Sequence, residues 1–277
     1  MLVRVADKKS EGSMEIPIFH MASFSRSGET LLQRCLNAHP RIEVVHQIRE
    51  PDSAEDIALF QHLMTRKAQT ISIKDPLVAH RKLSEDSILL LKNAVWCHAY
   101  PRHGFTLVRN PFSVVTSAFR DAPGQAQAER QKRQQVRWAQ RIDPLTKAAQ
   151  ETDPTLTGFL ILYVRKMLQD RHDGLPFVRY EDFVEGPEAI LRKIVAHLGL
   201  DWSPRVMLSH EDYREGQKGH GGIKLWKPIN KGSTDKYQKL SPEQRAHVYG
   251  IAQEVLRQYG YSWDGAVLGL KNADGML

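Results

Sequence analysis

Residues 16–22 (IPIFHMA) form an apolar run, residues 23–30 (SFSRSGET) break it, and residues 31–38 (LLQRCLNA) follow with Pro40 just beyond. The first stretch reads as a short buried strand. The last reads as a helix with Leu31, Leu32, Cys35 and Leu36 on one face, stopped by Pro40. A loop joining strand to helix points several free backbone N–H groups and the positive end of the helix dipole at one spot. Gly28 permits a close approach there, and Arg26 supplies a charged fork. An anion fits that place better than any other ligand. The loop is not the ATP-type pattern GxxxxGK[ST], because both the spacing and the lysine are missing, so a kinase or ATPase loses its main support. A plain polar turn in which Ser or Thr caps the helix is the competing reading.

Similar units follow. Residues 71–73 read as a short strand, and 105–108 as a strand leading into a helix from Pro111 to about Arg120. Residues 175–180 read as a strand before a helix over 187–198, where Leu191, Ile194, Val195 and Leu198 keep the 3.6 period. Alternation of this kind predicts an α/β domain: a central parallel sheet with helices on both faces. The 277 residues suit one such domain spanning 1–277, with its core at about 16–260, and no repeat or linker marks a boundary. With 41% hydrophobic and 26% charged residues, a disordered tail, a collagen-like chain and a coiled coil are excluded. Two cysteines, Cys35 and Cys97, without CxxC spacing argue against a disulfide framework or structural zinc, so no metal is expected and the compartment reads as reducing. The most apolar window, residues 158–164, falls far short of the about 20 residues a membrane span needs; with no leader-like N-terminus, a cytoplasmic protein is expected.

A second chemical signal lies at residues 107–117 (LVRNPFSVVTS). Arg109 falls at a strand end, Asn110 suits the N-cap, Pro111 suits the first helical position, and Ser117 lies two turns on. Arg109 and Ser117 can then converge on a second phosphate; a surface Arg beside a helical Ser bonded to its own backbone is the alternative. Two anion sites at the carboxyl ends of neighbouring strands suggest a ligand phosphorylated at both ends, which ATP is not. The formal charge of +7 favours anionic partners, yet no helix-turn-helix or aromatic-rich basic repeat supports nucleic-acid binding. The polar stretch 121–141 reads either as a solvated helix or as a mobile lid.

With these residues in view, the chain resembles the sulfotransferases. The run SRSGETLLQRCLNAHP is similar to their 5′-phosphosulfate loop, and LVRNPFSVVTS to their 3′-phosphate motif, an Arg followed eight residues later by a Ser. VRYEDF followed by GPEAILRKIVAHLGLDW is similar to a third family segment. Ile73-Lys74-Asp75-Pro76 and Lys227-Pro228-Ile229-Asn230 resemble the tyrosylprotein branch and related bacterial enzymes. Together these cover roughly residues 16–260.

The resemblance implies a single α/β domain of P-loop NTPase-like fold, and an enzyme that moves a sulfuryl group from 3′-phosphoadenosine-5′-phosphosulfate (PAPS) to an acceptor hydroxyl on a glycan, lipid or small metabolite. The basic surplus leaves room for an acidic acceptor. An ATP-dependent small-molecule kinase of similar fold is the alternative. By resemblance, Arg26, Ser27, Gly28, Glu29 and Thr30 hold the 5′-phosphosulfate, Arg109 and Ser117 hold the 3′-phosphate, and Tyr180 contacts the cofactor. Lys227, Asn230 and Lys236 belong to a glycine- and lysine-rich loop, 218–237, that closes over the nucleotide; Trp226 within it is a candidate to stack on adenine or to fill the core. Sulfuryl transfer needs its reactants aligned and its bridging and leaving oxygens neutralised, which Arg26 and Lys74 are expected to do. Relatives carry a Glu shortly after the HP that ends the first helix. This chain has His46 within a residue of that place, a suitable base, with Glu50 as runner-up.

Overall fold

The computed structural model describes residues 14–46, 54–81, 83–94, 103–119, 156–219 and 223–277. In chain order its elements are β1 (Glu15–Ser23), α1 (Glu29–Asn37), β2 (Ile42–His46), α2 (Ala54–Arg66), β3 (Thr70–Ser72), β4 (Ile88–Ala94), β5 (Gly104–Val108) and α3 (Pro111–Ala118). There follow α4 (Leu156–His172), β6 (Phe177–Arg179), α5 (Tyr180–Glu185), α6 (Pro187–His197), α7 (Pro242–Gln258), β7 (Tyr261–Trp263) and β8 (Leu268–Leu270).

β1 is central because neither of its faces meets water: Ile18, Met21 and Ala22 are all buried. The sheet order is β2-β4-β1-β5-β6, and every pairing along that path is parallel. The exception to the expected parallel sheet is β3, which pairs antiparallel with the first residues of β1, Glu15 against Ser72. A second small sheet, the β7-β8 hairpin, lies near the C-terminus.

Alternate residues of each strand feed opposite cores, as the two-residue period of a strand requires. On one face Met21, Val44, Leu90, Phe105, Leu107 and Val178 pack with α1 and α6 residues such as Leu32, Leu36, Leu191 and Ile194. On the other, Ile16, Ile18, Val45, Leu89 and Leu91 meet Leu59, Phe60 and Leu63 of α2. Farther along that second face Val108 and Phe177 join residues from α3, α4 and α7, including Val114, Phe159, Tyr163 and Leu256. Leu31, Leu32, Cys35 and Leu36 are all buried, as the helical spacing predicts.

The structure departs from the sequence reading where it adds elements and where it shortens one. β2 and β4 were not anticipated, and the strand expected over 175–180 is shorter: Tyr180 opens α5 instead of ending β6. Glu181 and Asp182 in the first turn of α5 explain that, since carboxylates favour a helix N-terminus. The stretch 121–141, Cys97 and Glu50 lie outside the described residues. No helix among the described residues is long and apolar enough to cross a membrane.

Candidate functional site

β1 and β5 are neighbours running in the same direction, with Ser23 paired to Leu107, so the segments that follow them leave the sheet side by side at its carboxyl edge. After Ser23 the chain turns sharply. Arg26 takes φ 75° and Gly28 φ 99°, and Gly28 is the N-cap of α1 with no side chain to satisfy the first-turn N–H groups. Those donors and the helix dipole therefore face the loop. Arg26 is not a glycine, and a left-handed backbone at such a residue is a mark of functional sites.

Gly28 has a second reason to be glycine: a Cβ there would run into the ring of Tyr180. Gly28→Ala is expected to lower the unfolding free energy by about 2 kcal/mol, combining a disfavoured φ with displacement of that ring, and urea denaturation would read it.

The second motif folds as its residues dictate. Asn110 caps α3, its Oδ1 accepting from the Ser113 N–H at 2.7 Å, and Pro111 stands in the first turn. The two motifs then touch. Arg26 Nε donates to Ser117 Oγ at 3.2 Å, and Arg109 Nη1 donates to the Arg26 carbonyl at 3.1 Å. Arg109 also donates to the Ser233 carbonyl, and its guanidinium carbon lies 4.4 Å from the centre of the Tyr180 ring. Tyr180 is thus wedged between Gly28 and Arg109 and hydrogen-bonds Ser233; burial pushes its phenol above the ordinary range, so it stays neutral.

Arg109 is only 4% exposed, and among the described residues no carboxylate is within ion-pair distance of it. Its Nε and the buried hydroxyl of Ser27 have no hydrogen-bond partner among the described residues. A buried guanidinium with no counter-charge among the described residues, together with two unpartnered donors on segments that hydrogen-bond each other, calls for an anion with several oxygens. Phosphate and phosphosulfate groups fit that requirement. Glu29 is buried in the first turn of α1, where an ATP-type loop would carry its lysine.

The lysine-rich segment lies against the same edge. The buried guanidinium of Arg34, on α1, donates to the carbonyls of Leu225 at 2.7 Å and Lys227 at 2.8 Å and to Ser209 Oγ at 3.2 Å. Ser113 Oγ donates to the Thr234 carbonyl at 3.2 Å, and Gly219 passes close enough to Thr30 that a Cβ on it would stand 3.1 Å from the threonine methyl. Lys227 is exposed on this docked segment, and Lys236 lies in the kinked 3-10 segment Thr234–Lys239. Asn230 makes local bonds, to the Pro228 carbonyl and from the Gly232 N–H. Trp226 is half-buried with the Lys224 amine 6.0 Å from its ring centre.

Lys74 is the correction. It follows β3, and because β3 runs antiparallel its end lies beside Glu15 at the opposite end of β1 from Ser23. Eight residue steps at about 3.3 Å put roughly 26 Å between those ends, beyond the reach of any lysine. His46 ends β2 at the carboxyl edge, level with Lys92 of β4 and Met21 of β1, two strands from the loop; its side chain lies outside the described residues. In place of Lys74 the fold offers Lys92, buried on the strand beside β1 and two register positions below Ser23. Sequence reasoning missed it, although a lone charge closing the run Ile88-Leu89-Leu90-Leu91 was a signal for a polar strand end at a site. A cavity of about 310 Å3 lined by Val115, Phe119, Leu156 and Lys239 opens elsewhere, because Val115 lies about 200° around α3 from Ser117.

No family model and no curated protein matches the chain. Solved structures do. The sulfotransferase domain from the curacin biosynthetic pathway superposes with a TM-score of 0.53 at 16% identity, over 88% of this chain and 98% of that one. The sulfotransferase domain from the Synechococcus PCC 7002 olefin synthase gives 0.50 at 16% identity, over 90% of this chain and 97% of its own. Identities this low speak to architecture alone, and the architecture of this chain is the sulfotransferase fold.

Proposed function

We propose that the chain is a sulfotransferase that takes a sulfuryl group from PAPS and delivers it to a hydroxyl acceptor. One observation carries this reading: the Ser23–Thr30 loop and the Arg109–Ser117 motif are joined by the Arg26–Ser117 and Arg109–Arg26 hydrogen bonds into a single cationic cluster whose buried donors include two unpartnered among the described residues. Such a site suits a nucleotide that is anionic at both its 3′ and 5′ ends.

In this reading the donor supplies an activated sulfuryl group, and the chain's work is alignment and charge neutralisation. Ser27, Thr30 and the first-turn N–H groups of α1 hold the 5′ end, with Gly28 allowing their approach and Glu29 closing the turn. Arg109 and Ser117 hold the 3′-phosphate, and Tyr180 braces Arg109. Arg26 reaches between the two and stabilises charge on the leaving oxygen, helped by Lys92. Lys227, Asn230 and Lys236 flank the nucleotide from the docked segment. His46, at the same sheet edge, takes the acceptor proton.

A thermal-shift comparison tests the reading. Adenosine 3′,5′-bisphosphate at about 100 times its dissociation constant should stabilise the protein by about 2.7 kcal/mol, a rise in melting temperature on the order of 5 °C. Equimolar ATP with magnesium should do much less. The reverse ranking would make the protein an ATP-dependent enzyme instead.

A further inference from the structure

The residue after Tyr180 carries a buried charge that the site described above does not use. Glu181 is 8% exposed, and among the described residues all the hydrogen bonds it accepts come from neutral groups. One carboxylate oxygen accepts from the Asn110 backbone N–H at 3.2 Å and the Asn110 side-chain amide at 2.6 Å. The other accepts from the Tyr261 hydroxyl, on β7, at 2.7 Å. Among the described residues no cation lies within ion-pair distance of it. A carboxylate buried among neutral donors is costly, so a purely spatial role would be filled at lower cost by an amide or an apolar side chain.

What the carboxylate grips is the peptide that carries Arg109. Asn110 is held at its N–H and side chain by Glu181, and the Arg109 carbonyl accepts from the fully buried Tyr163 hydroxyl at 2.6 Å. The backbone on both sides of Arg109 is thereby tied to α4, α5 and β7. Burial, reinforced by the nearby Glu181 charge, pushes the Tyr163 and Tyr261 phenols well above their ordinary range, so both remain donors at any working pH. Asn110 meanwhile spends its own oxygen on capping α3, which orients the helix bearing Ser117. One carboxylate therefore stands behind both groups assigned to the 3′-phosphate.

We propose that Glu181, backed by Tyr261, is a positioning residue that fixes the Arg109–Asn110 peptide and so confers selectivity for a 3′-phosphorylated nucleotide. This rests on the assignment of Arg109 given above. The test compares binding of adenosine 3′,5′-bisphosphate and adenosine 5′-monophosphate by calorimetry. Wild type should prefer the bisphosphate. Glu181→Gln should weaken the bisphosphate about 10-fold, and the milder Tyr261→Phe about 3-fold, while both leave the monophosphate within 2-fold of wild type, since imperfect aim costs only part of a charge-assisted contact. In an Arg109→Ala background Glu181→Gln should have no further effect on the bisphosphate, because the two act on one contact.

A fall that is equal for both nucleotides, or unchanged affinities in both variants, overturns the positioning role. So does an undiminished effect of Glu181→Gln when Arg109 is already alanine. Equal binding of the two nucleotides by wild type is a separate result: it removes the 3′-phosphate site itself, and the positioning role with it. Should Glu181→Gln fail to fold, Tyr261→Phe alone decides between these outcomes through the same ratio.

Discussion

Replacing Arg109 with alanine should weaken adenosine 3′,5′-bisphosphate binding by about 150-fold, or about 3 kcal/mol, and leave adenosine 5′-monophosphate affinity nearly intact. The size follows from the surroundings of the guanidinium. It is buried, has no carboxylate within ion-pair distance among the described residues and keeps its Nε–H unpartnered among them, so its charge is left for an incoming phosphate while two of its other N–H groups hold the Arg26 and Ser233 carbonyls. In a low-dielectric recess such a contact is worth more than a surface ion pair. The substitution has a second cost, because the carbonyls of Arg26 and Ser233 lose their donor and the Tyr180 ring loses its partner. A stability loss of about 1–3 kcal/mol without nucleotide is expected for that reason. Arg109→Lys should recover little, since an ammonium cannot reach two carbonyls and a phosphate from one planar fork. Calorimetric titration of both nucleotides into both variants checks this, and unchanged bisphosphate affinity in Arg109→Ala would end the 3′-phosphate assignment.

Much of this arrangement was legible before any coordinates. The apolar run, the glycine-bearing loop and the leucine-rich helix between Ile16 and Ala38 state a strand-loop-helix unit in purely local terms, and Asn110 followed by Pro111 states a helix start equally locally. These rules act within one turn or one strand, and the structure obeys them. What could not be read locally was the partner of each strand. Residues 88–91 are all apolar, a pattern that suits a buried strand and a buried helix alike, so β4 passed unnoticed and Lys92 with it. Lys74 went astray for a related reason. Its short strand was recognised, but the direction in which that strand pairs decides which end of the sheet its last residue meets, and hydrophobic spacing says nothing about direction. Glu181 sits inside the VRYEDF segment with no local clue to its role, because its partners Asn110 and Tyr261 are 71 and 80 residues away.

Arg26 is the residue on which turnover should depend most. Arg26→Ala is expected to lower the rate of sulfuryl transfer by roughly 100-fold to 1000-fold, or about 3 to 4 kcal/mol of barrier, the usual cost of losing one preorganised donor at a developing charge. Nucleotide affinity should fall less than about 10-fold, because Arg109, Ser27 and the first turn of α1 still hold both ends. The backbone at position 26 is left-handed, and alanine retains the Cβ that makes this unfavourable, so wild type and variant carry the same strain and the comparison isolates the guanidinium. Loss of the hydrogen bond to Ser117 is part of the change, and Ser117→Ala, which removes that bond while keeping the charge, separates the two contributions. Lys74→Ala should leave the rate unchanged, because the fold sets it at the far end of β1. The check is a single-turnover rate at saturating donor set beside the dissociation constant of adenosine 3′,5′-bisphosphate. If affinity falls while the saturating rate stays at the wild-type value, Arg26 binds the ground state and the transition state alike, and the charge on the leaving oxygen must be met by Lys92 instead.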